Sequence, residues 1–141
     1  MIRKQIILVD DDPVILKLQA RVVEKILGFS PVQFSNGLDA LTYIKSANIG
    51  ESGLLVLLDI NMPEMSGWDV LSEIEKIPMN EKIKVALVTS SVDEYDKRKA
   101  ARYINIVDFI EKPFRPNAIE RLKQNPELAL FICVLFPTVF I

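Results

Sequence analysis

Short apolar runs of strand length alternate with longer segments of helical spacing along this chain, and that alternation leaves few folds open. The runs are Ile6–Val9, Leu54–Leu58, Val85–Val88 and Ile106–Ile110, with a weaker one at Val32–Phe34. None of them shows a clean apolar/polar alternation, so both faces of each strand need cover. Between the runs, Ile15, Leu18, Val22 and Ile26 fall at steps of three and four before Gly28 supplies a stop. Asp12-Pro13 ahead of them reads as an N-cap with proline at the first helical position. Leu38, Leu41 and Ile44 open a second helix, and Val70, Leu71, Ile74 and Ile77 mark a third. Asp93 to Tyr103 gives a more polar fourth helix and Asn117 to Gln124 a fifth. Repeated strand-then-helix units imply an α/β fold: a central parallel sheet with helices on both faces. Such sheets bind ligands at the carboxyl ends of their strands.

The strands end on polar groups. Asp10, Asp11 and Asp12 follow the first apolar run, Asp59 follows Leu58, Thr89-Ser90 follows Val88, and Lys112 lies just past Ile110. Carboxylates at the ends of neighbouring strands repel one another and normally need a bound cation or a shared proton. The chain has no histidine, which excludes Ser-His-Asp and Cys-His catalysis and His-ligated zinc. Its one cysteine, Cys133, excludes an internal disulfide and a cysteine-cluster metal site. Any metal must therefore sit among oxygens, which points to Mg²⁺, Mn²⁺ or Ca²⁺. With 141 residues the chain has the length of one ordinary domain, and a net charge of −2 leaves no general nucleic-acid footprint. The apolar stretch after Arg3-Lys4 is too short for a signal peptide before the aspartates stop it, so the expected location is cytoplasmic.

Taken together, Ile7-Leu8-Val9-Asp10-Asp11-Asp12-Pro13, Leu57-Leu58-Asp59-Ile60-Asn61-Met62-Pro63 with Gly67, Val88-Thr89-Ser90, and Lys112-Pro113-Phe114 resemble the receiver domain of two-component response regulators. They follow that family's order and spacing, and the resemblance covers roughly Lys4 to Gln124. It implies a (βα)5 doubly wound sheet in the flavodoxin-like, chemotaxis-regulator strand order 2-1-3-4-5. It also implies a phosphoacceptor role for Asp59, which would take a phosphoryl group from a phosphohistidine with Mg²⁺ present. Asp11 and Asp59 would ligate the cation with the backbone carbonyl of Asn61, and Asp10 would act mainly through a bound water. Lys112 would pair with a phosphoryl oxygen, and Thr89 would donate its hydroxyl to another. The Lys112-Pro113 bond is cis in the family. Thr89 and Phe109 hold the switch positions, so that Thr89 moving toward the phosphate lets Phe109 rotate and remodel the surface of the fourth helix and fifth strand. The implied partners are a sensor histidine kinase or histidine phosphotransfer protein upstream and an unidentified protein downstream. The expected activity is a signalling phosphoacceptor with weak self-catalysed phosphotransfer and dephosphorylation, not an enzyme in the ordinary sense.

Plainer roles compete for several of these residues. Asp12 reads as a helix cap only, and Met62 and Trp68 as packing residues. A haloacid-dehalogenase-type phosphohydrolase also uses an aspartate nucleophile, and Asp10-x-Asp12 superficially matches its motif. Pro13-Val14 then breaks that match, and Asp59 with Asn61-Met62-Pro63 would be unexplained. A receiver-like interaction module that takes no phosphate is the second alternative.

The expected receiver domain spans residues 1–124, and residues 125–141 form an apolar C-terminal extension. Asn125-Pro126-Glu127 reads as a new N-cap and first turn, and a short helix is expected from there toward Pro137. Leu128 to Ile141 carries no charge. It is too short and proline-broken for a membrane span, which needs about 20 apolar residues. A segment apolar on all sides must be buried, and packing over the core or into a homodimer is the expectation.

Overall fold

The computed structural model describes residues 5–47, 53–90 and 93–128. Five strands, β1 (Gln5–Val9), β2 (Val32–Phe34), β3 (Leu54–Asp59), β4 (Ile83–Thr89) and β5 (Ile106–Glu111), form one parallel sheet in the order β2-β1-β3-β4-β5. The helices are α1 (Pro13–Leu27), α2 (Gly37–Ser46), α3 (Gly67–Glu75), α4 (Glu94–Ala100) and α5 (Pro116–Lys123). The expected fold class and strand order are both present.

Successive side chains of each strand point to opposite faces, and the two faces build separate cores. Ile7, Val9, Val56 and Leu58 pack with Leu41 and Ile44 of α2 and with Val70, Leu71 and Ile74 of α3. Ile6, Leu8, Leu55 and Leu57 pack with Leu16, Ala20 and Val23 of α1 and with Ile119 and Leu122 of α5. β3 lies between β1 and β4, and every one of its residues is buried. That double cover is why its sequence is continuously apolar until Asp59.

Three local features depart from the expected pattern. The buried face of α1 carries Leu16, Gln19, Ala20 and Val23, whereas Leu18 is 54% exposed. The helix therefore forms as expected, but its most hydrophobic stripe is rotated partly outward. α4 is also shorter than Asp93 to Tyr103: Asp93 is its N-cap, accepting the Asp96 backbone N–H at 2.7 Å, and the last turn gives way at Ala101. The expected helix after Asn125 is described only as a 3-10 turn, Pro126–Leu128. Asn125 Oδ1 accepts the Glu127 N–H at 2.9 Å, as an N-terminal cap would. The remainder of the apolar extension, residues 129–141, lies outside the described residues, and so does the dimer contact expected of it.

Candidate functional site

The carboxyl ends of β1, β3, β4 and β5 bring the predicted polar residues to one edge of the sheet. Asp10 follows β1 directly; its backbone N–H donates to the Phe34 carbonyl at 3.1 Å, which holds it against β2. Its side chain is 1% exposed, and Oδ1 accepts the Asp12 N–H at 2.9 Å. Asp12 itself turns to α1, accepting the N–H groups of Val14 at 2.9 Å and Ile15 at 3.3 Å. Its expected role as a cap is what the geometry gives. Asp59, the last residue of β3, is 4% exposed and stands in register with Val88. Thr89 closes β4 and is fully buried, and its carbonyl accepts the Lys112 N–H at 2.7 Å. This backbone bond holds Lys112 at the end of β5, and the Lys112-Pro113 peptide that follows is cis.

The carboxylates of Asp10, Asp11 and Asp59 offer oxygens that all lie within 4.8 Å of one another. Lys112 Nζ reaches into this group, 2.8 Å from Asp10 Oδ2 and 3.4 Å from Asp59 Oδ1. Burial, and then the negative charge of Asp10, push the Asp59 carboxyl up to about 6, with Lys112 and the Asn61 N–H offsetting part of the rise. Burial pushes Lys112 down, but the Asp10 and Asp59 carboxylates outweigh it and hold the ammonium above its ordinary value. One lysine thus faces a surplus of carboxylate charge. Although Lys112 is its charge partner, Asp10 Oδ2 is a buried oxygen with no aligned hydrogen-bond donor. An all-carboxylate donor set with an unsatisfied buried oxygen fits a hard divalent cation.

Asn61 is exposed and touches the cluster through its N–H, 3.4 Å from Asp59 Oδ1. Phe109 stands apart. It is half-buried in β5, opposite Leu87, and packs against the core on the α2/α3 side of the sheet. Met62 is buried in that same core, and Trp68 is half-buried with its ring stacked on Tyr103 at 5.9 Å. Both are packing residues, as expected. Ser90 is exposed at the mouth of the site.

Two further residues contribute near the site: Gly67, quoted with the Asp59 motif in the sequence, and Gln19, which the sequence reasoning missed. Gly67 brings the start of α3 against the acceptor loop: its N–H donates to the Ile60 carbonyl at 2.8 Å. A Cβ there would stand 2.5 Å from the Asp59 carbonyl oxygen and 2.9 Å from Ile60 Cα, so only glycine permits the approach. Gln19, 1% exposed on α1, lines an apolar hollow beside Lys112 and Pro113. Its place three residues after Leu16 and four before Val23 was the available signal.

Comparison with known proteins agrees with this geometry. Residues 6–123 match the family described as the response regulator receiver domain. The chain is 33% identical over 126 residues to the chemotaxis protein CheV1 of Helicobacter pylori, covering 88% of this chain and 38% of that protein. It is 32% identical over 120 residues to a CpxR homologue, a transcriptional regulatory protein of Haemophilus influenzae, covering 84% of this chain and 48% of that one. It thus spans less than half the length of either relative. A response regulator receiver protein of Dyadobacter fermentans has the same fold, with a TM-score of 0.75 and 25% identity over 86% of this chain and 97% of its own. With the family matched from β1 through α5, and with the acidic cluster and lysine assembled at the strand ends, this chain belongs to the response regulator receiver domain family.

Proposed function

We propose that this receiver takes a phosphoryl group onto Asp59 from a phosphohistidine, and that the resulting charge change switches a protein-interaction surface. The observation carrying this reading is the buried Asp59 carboxylate, set among Asp10, Asp11 and Lys112 and held above the usual carboxylate range. An Asp59 oxygen attacks phosphorus, the phosphorus–nitrogen bond to the donor imidazole breaks, and an acyl phosphate forms. The protein's work is positioning and charge stabilisation. Lys112 stands where it can leave Asp59 Oδ1 for a phosphoryl oxygen without leaving Asp10. Thr89, tied through its carbonyl to the Lys112 backbone, supplies a hydroxyl at the neighbouring strand end.

Asp11 and Asp59, with the Asn61 carbonyl, would hold Mg²⁺, and Asp10 would reach it through water. When bound, the cation supplies the positive charge that this cluster lacks. Movement of Thr89 toward the phosphate and rotation of Phe109 would couple the site to the α4–β5 surface. The upstream partner is a sensor histidine kinase or histidine phosphotransfer protein. The downstream partner is a protein.

The haloacid-dehalogenase alternative would make Asp10 the nucleophile. Asp10 instead accepts the Asp12 N–H on Oδ1 and has Lys112 as the charge partner of Oδ2, which suits a supporting role. Acetyl phosphate with Mg²⁺ tests the proposal. Intact-mass measurement should find one added phosphoryl group on the wild type and none on Asp59→Asn or after chelation of the metal. Equal uptake by Asp59→Asn would refute it.

A further inference from the structure

Gln19 is buried, yet neither the core nor the acceptor site gives its side chain a task. It is 1% exposed on α1, on the same face as Leu16, Ala20 and Val23 of the core. Among the described residues its side-chain amide has no hydrogen-bond partner. Taking an amide out of water without such a partner is unfavourable. Leucine, of nearly the same size, would fill the position without that cost. Packing alone therefore does not account for a glutamine here.

Gln19 lines a cavity. A hollow of about 410 Å³ opens between α1 and the turn from β5 into α5. Ile15, Leu18 and Gln19 form its α1 side, and Ser90 belongs to its edge. Lys112, Pro113 and Phe114 form the opposite side. The volume falls within the roughly 300–1,000 Å³ of small-molecule sites, which combine apolar walls with a few polar groups. Leu18 is 54% exposed and Phe114 half-buried, so the walls are apolar surface still open to water. The other surroundings of Gln19 are core, so the hollow is where its amide can meet a partner.

The lining also restricts the charge of an occupant. Lys112 is the one charged residue in it, and its ammonium is committed to Asp10 at 2.8 Å and Asp59 at 3.4 Å. A carboxylate in the hollow would find no free cation and would stand near the surplus negative charge of Asp10, Asp11 and Asp59. A cation would lose its water against apolar walls and share the hollow with Lys112. A neutral molecule meets neither cost. An amide group offers a donor and an acceptor side by side, the complement of the glutamine carbonyl and NH2.

We propose that this hollow binds a small uncharged molecule with an apolar body and an amide group, the amide pairing with Gln19 and the body packing on Ile15, Leu18 and Phe114. Binding is read on the unphosphorylated chain, so its failure is separate from any failure of phosphate uptake.

Benzamide is the probe, with toluene and benzoate as controls that lack the amide or carry a charge. In an isotope-labelled full chain, benzamide should give saturable shifts of the Ile15 and Leu18 methyl groups and of the Gln19 side-chain NH2, at the millimolar concentrations expected for so small a ligand. Nuclear Overhauser contacts should join its ring protons to those methyl groups. Toluene and benzoate should each bind roughly tenfold more weakly, as the loss of about one net hydrogen bond predicts. Gln19→Leu should keep the fold by circular dichroism and bind benzamide no better than the wild type binds toluene. The proposal is overturned if benzamide gives no saturable shift at these residues, or if the wild type binds toluene or benzoate as tightly. It is equally overturned if folded Gln19→Leu keeps the wild-type affinity for benzamide. Should that variant fail to fold, the comparison of the three probes on the wild type decides.

Discussion

Asp59 is placed at a cost to the fold. Its carboxyl is pushed up from 3.8 to about 6, chiefly by burial and then by Asp10. Between those pH values the folded chain holds a proton that the unfolded chain has released, so this group's contribution to stability falls as pH rises through the window. Above about pH 6 the penalty is complete. Asp59→Asn removes the charge and keeps the shape, so it should be more stable than the wild type near pH 8 by about 1–2 kcal/mol, after discounting for solvent screening. Near pH 4 the two proteins should be nearly equal. Urea denaturation at both pH values measures this, and a variant equally or less stable near pH 8 would refute the electrostatic picture. Lys112→Met should act in the opposite sense. It removes a charge 2.8 Å from buried Asp10 and 3.4 Å from Asp59, so stability near pH 8 should drop, by about 1–3 kcal/mol given the partial exposure of the site. The loss should shrink below about pH 6, as Asp59 takes up its proton.

Local geometry around the strand ends gives two further tests. Gly67→Ala drives a Cβ into the Asp59 carbonyl oxygen and Ile60 Cα, both backbone atoms that cannot swing aside. It should destabilise the domain by about 1–3 kcal/mol and impair phosphate uptake through the displaced acceptor loop, as denaturation and intact-mass measurements would show. Asp12→Ala removes only a cap, with a cost of about 1 kcal/mol to α1, and should leave Mg²⁺ affinity unchanged. A large loss of metal affinity would make Asp12 a ligand.

The same elements show why parts of the fold were readable in the sequence. β3 was legible because double cover forces an unbroken apolar run, and Asp59 because a charge ends that run. The α1 cap was legible because Asp-Pro combines a side-chain acceptor with a fixed φ. The buried face of α1 was not, because Gln19 and Ala20 occupy it while Leu18 turns outward. Nor was Asn105. It is buried, with Nδ2 donating to the Asn80 carbonyl at 2.8 Å and the Ile83 carbonyl at 3.0 Å, and its own carbonyl accepts the Val85 N–H. Contacts between residues so far apart in sequence leave no periodicity to read.

The domain as a whole couples a rigid sheet to a charged rim. Both cores anchor β1, β3 and β4, so the carboxylate cluster is held by strands that cannot easily move. A cation bound there should stabilise the entire domain by linkage, by about 2.7 kcal/mol at a hundredfold excess over its dissociation constant. Thermal unfolding should therefore shift upward with Mg²⁺ near pH 8. The shift should shrink below about pH 6, where Asp59 is protonated, and be weaker in Asp59→Asn. A Mg²⁺ shift independent of pH and of Asp59 would place the cation elsewhere. Among the described residues no helix is long and apolar enough to cross a membrane. The decisive experiment is transfer from a radiolabelled phosphohistidine donor, followed by mapping of the modified peptide. The label should be on Asp59, should require Mg²⁺, and should vanish in Asp59→Asn. Label on Asp10, or label that persists in Asp59→Asn, would overturn the assignment of Asp59 as the acceptor.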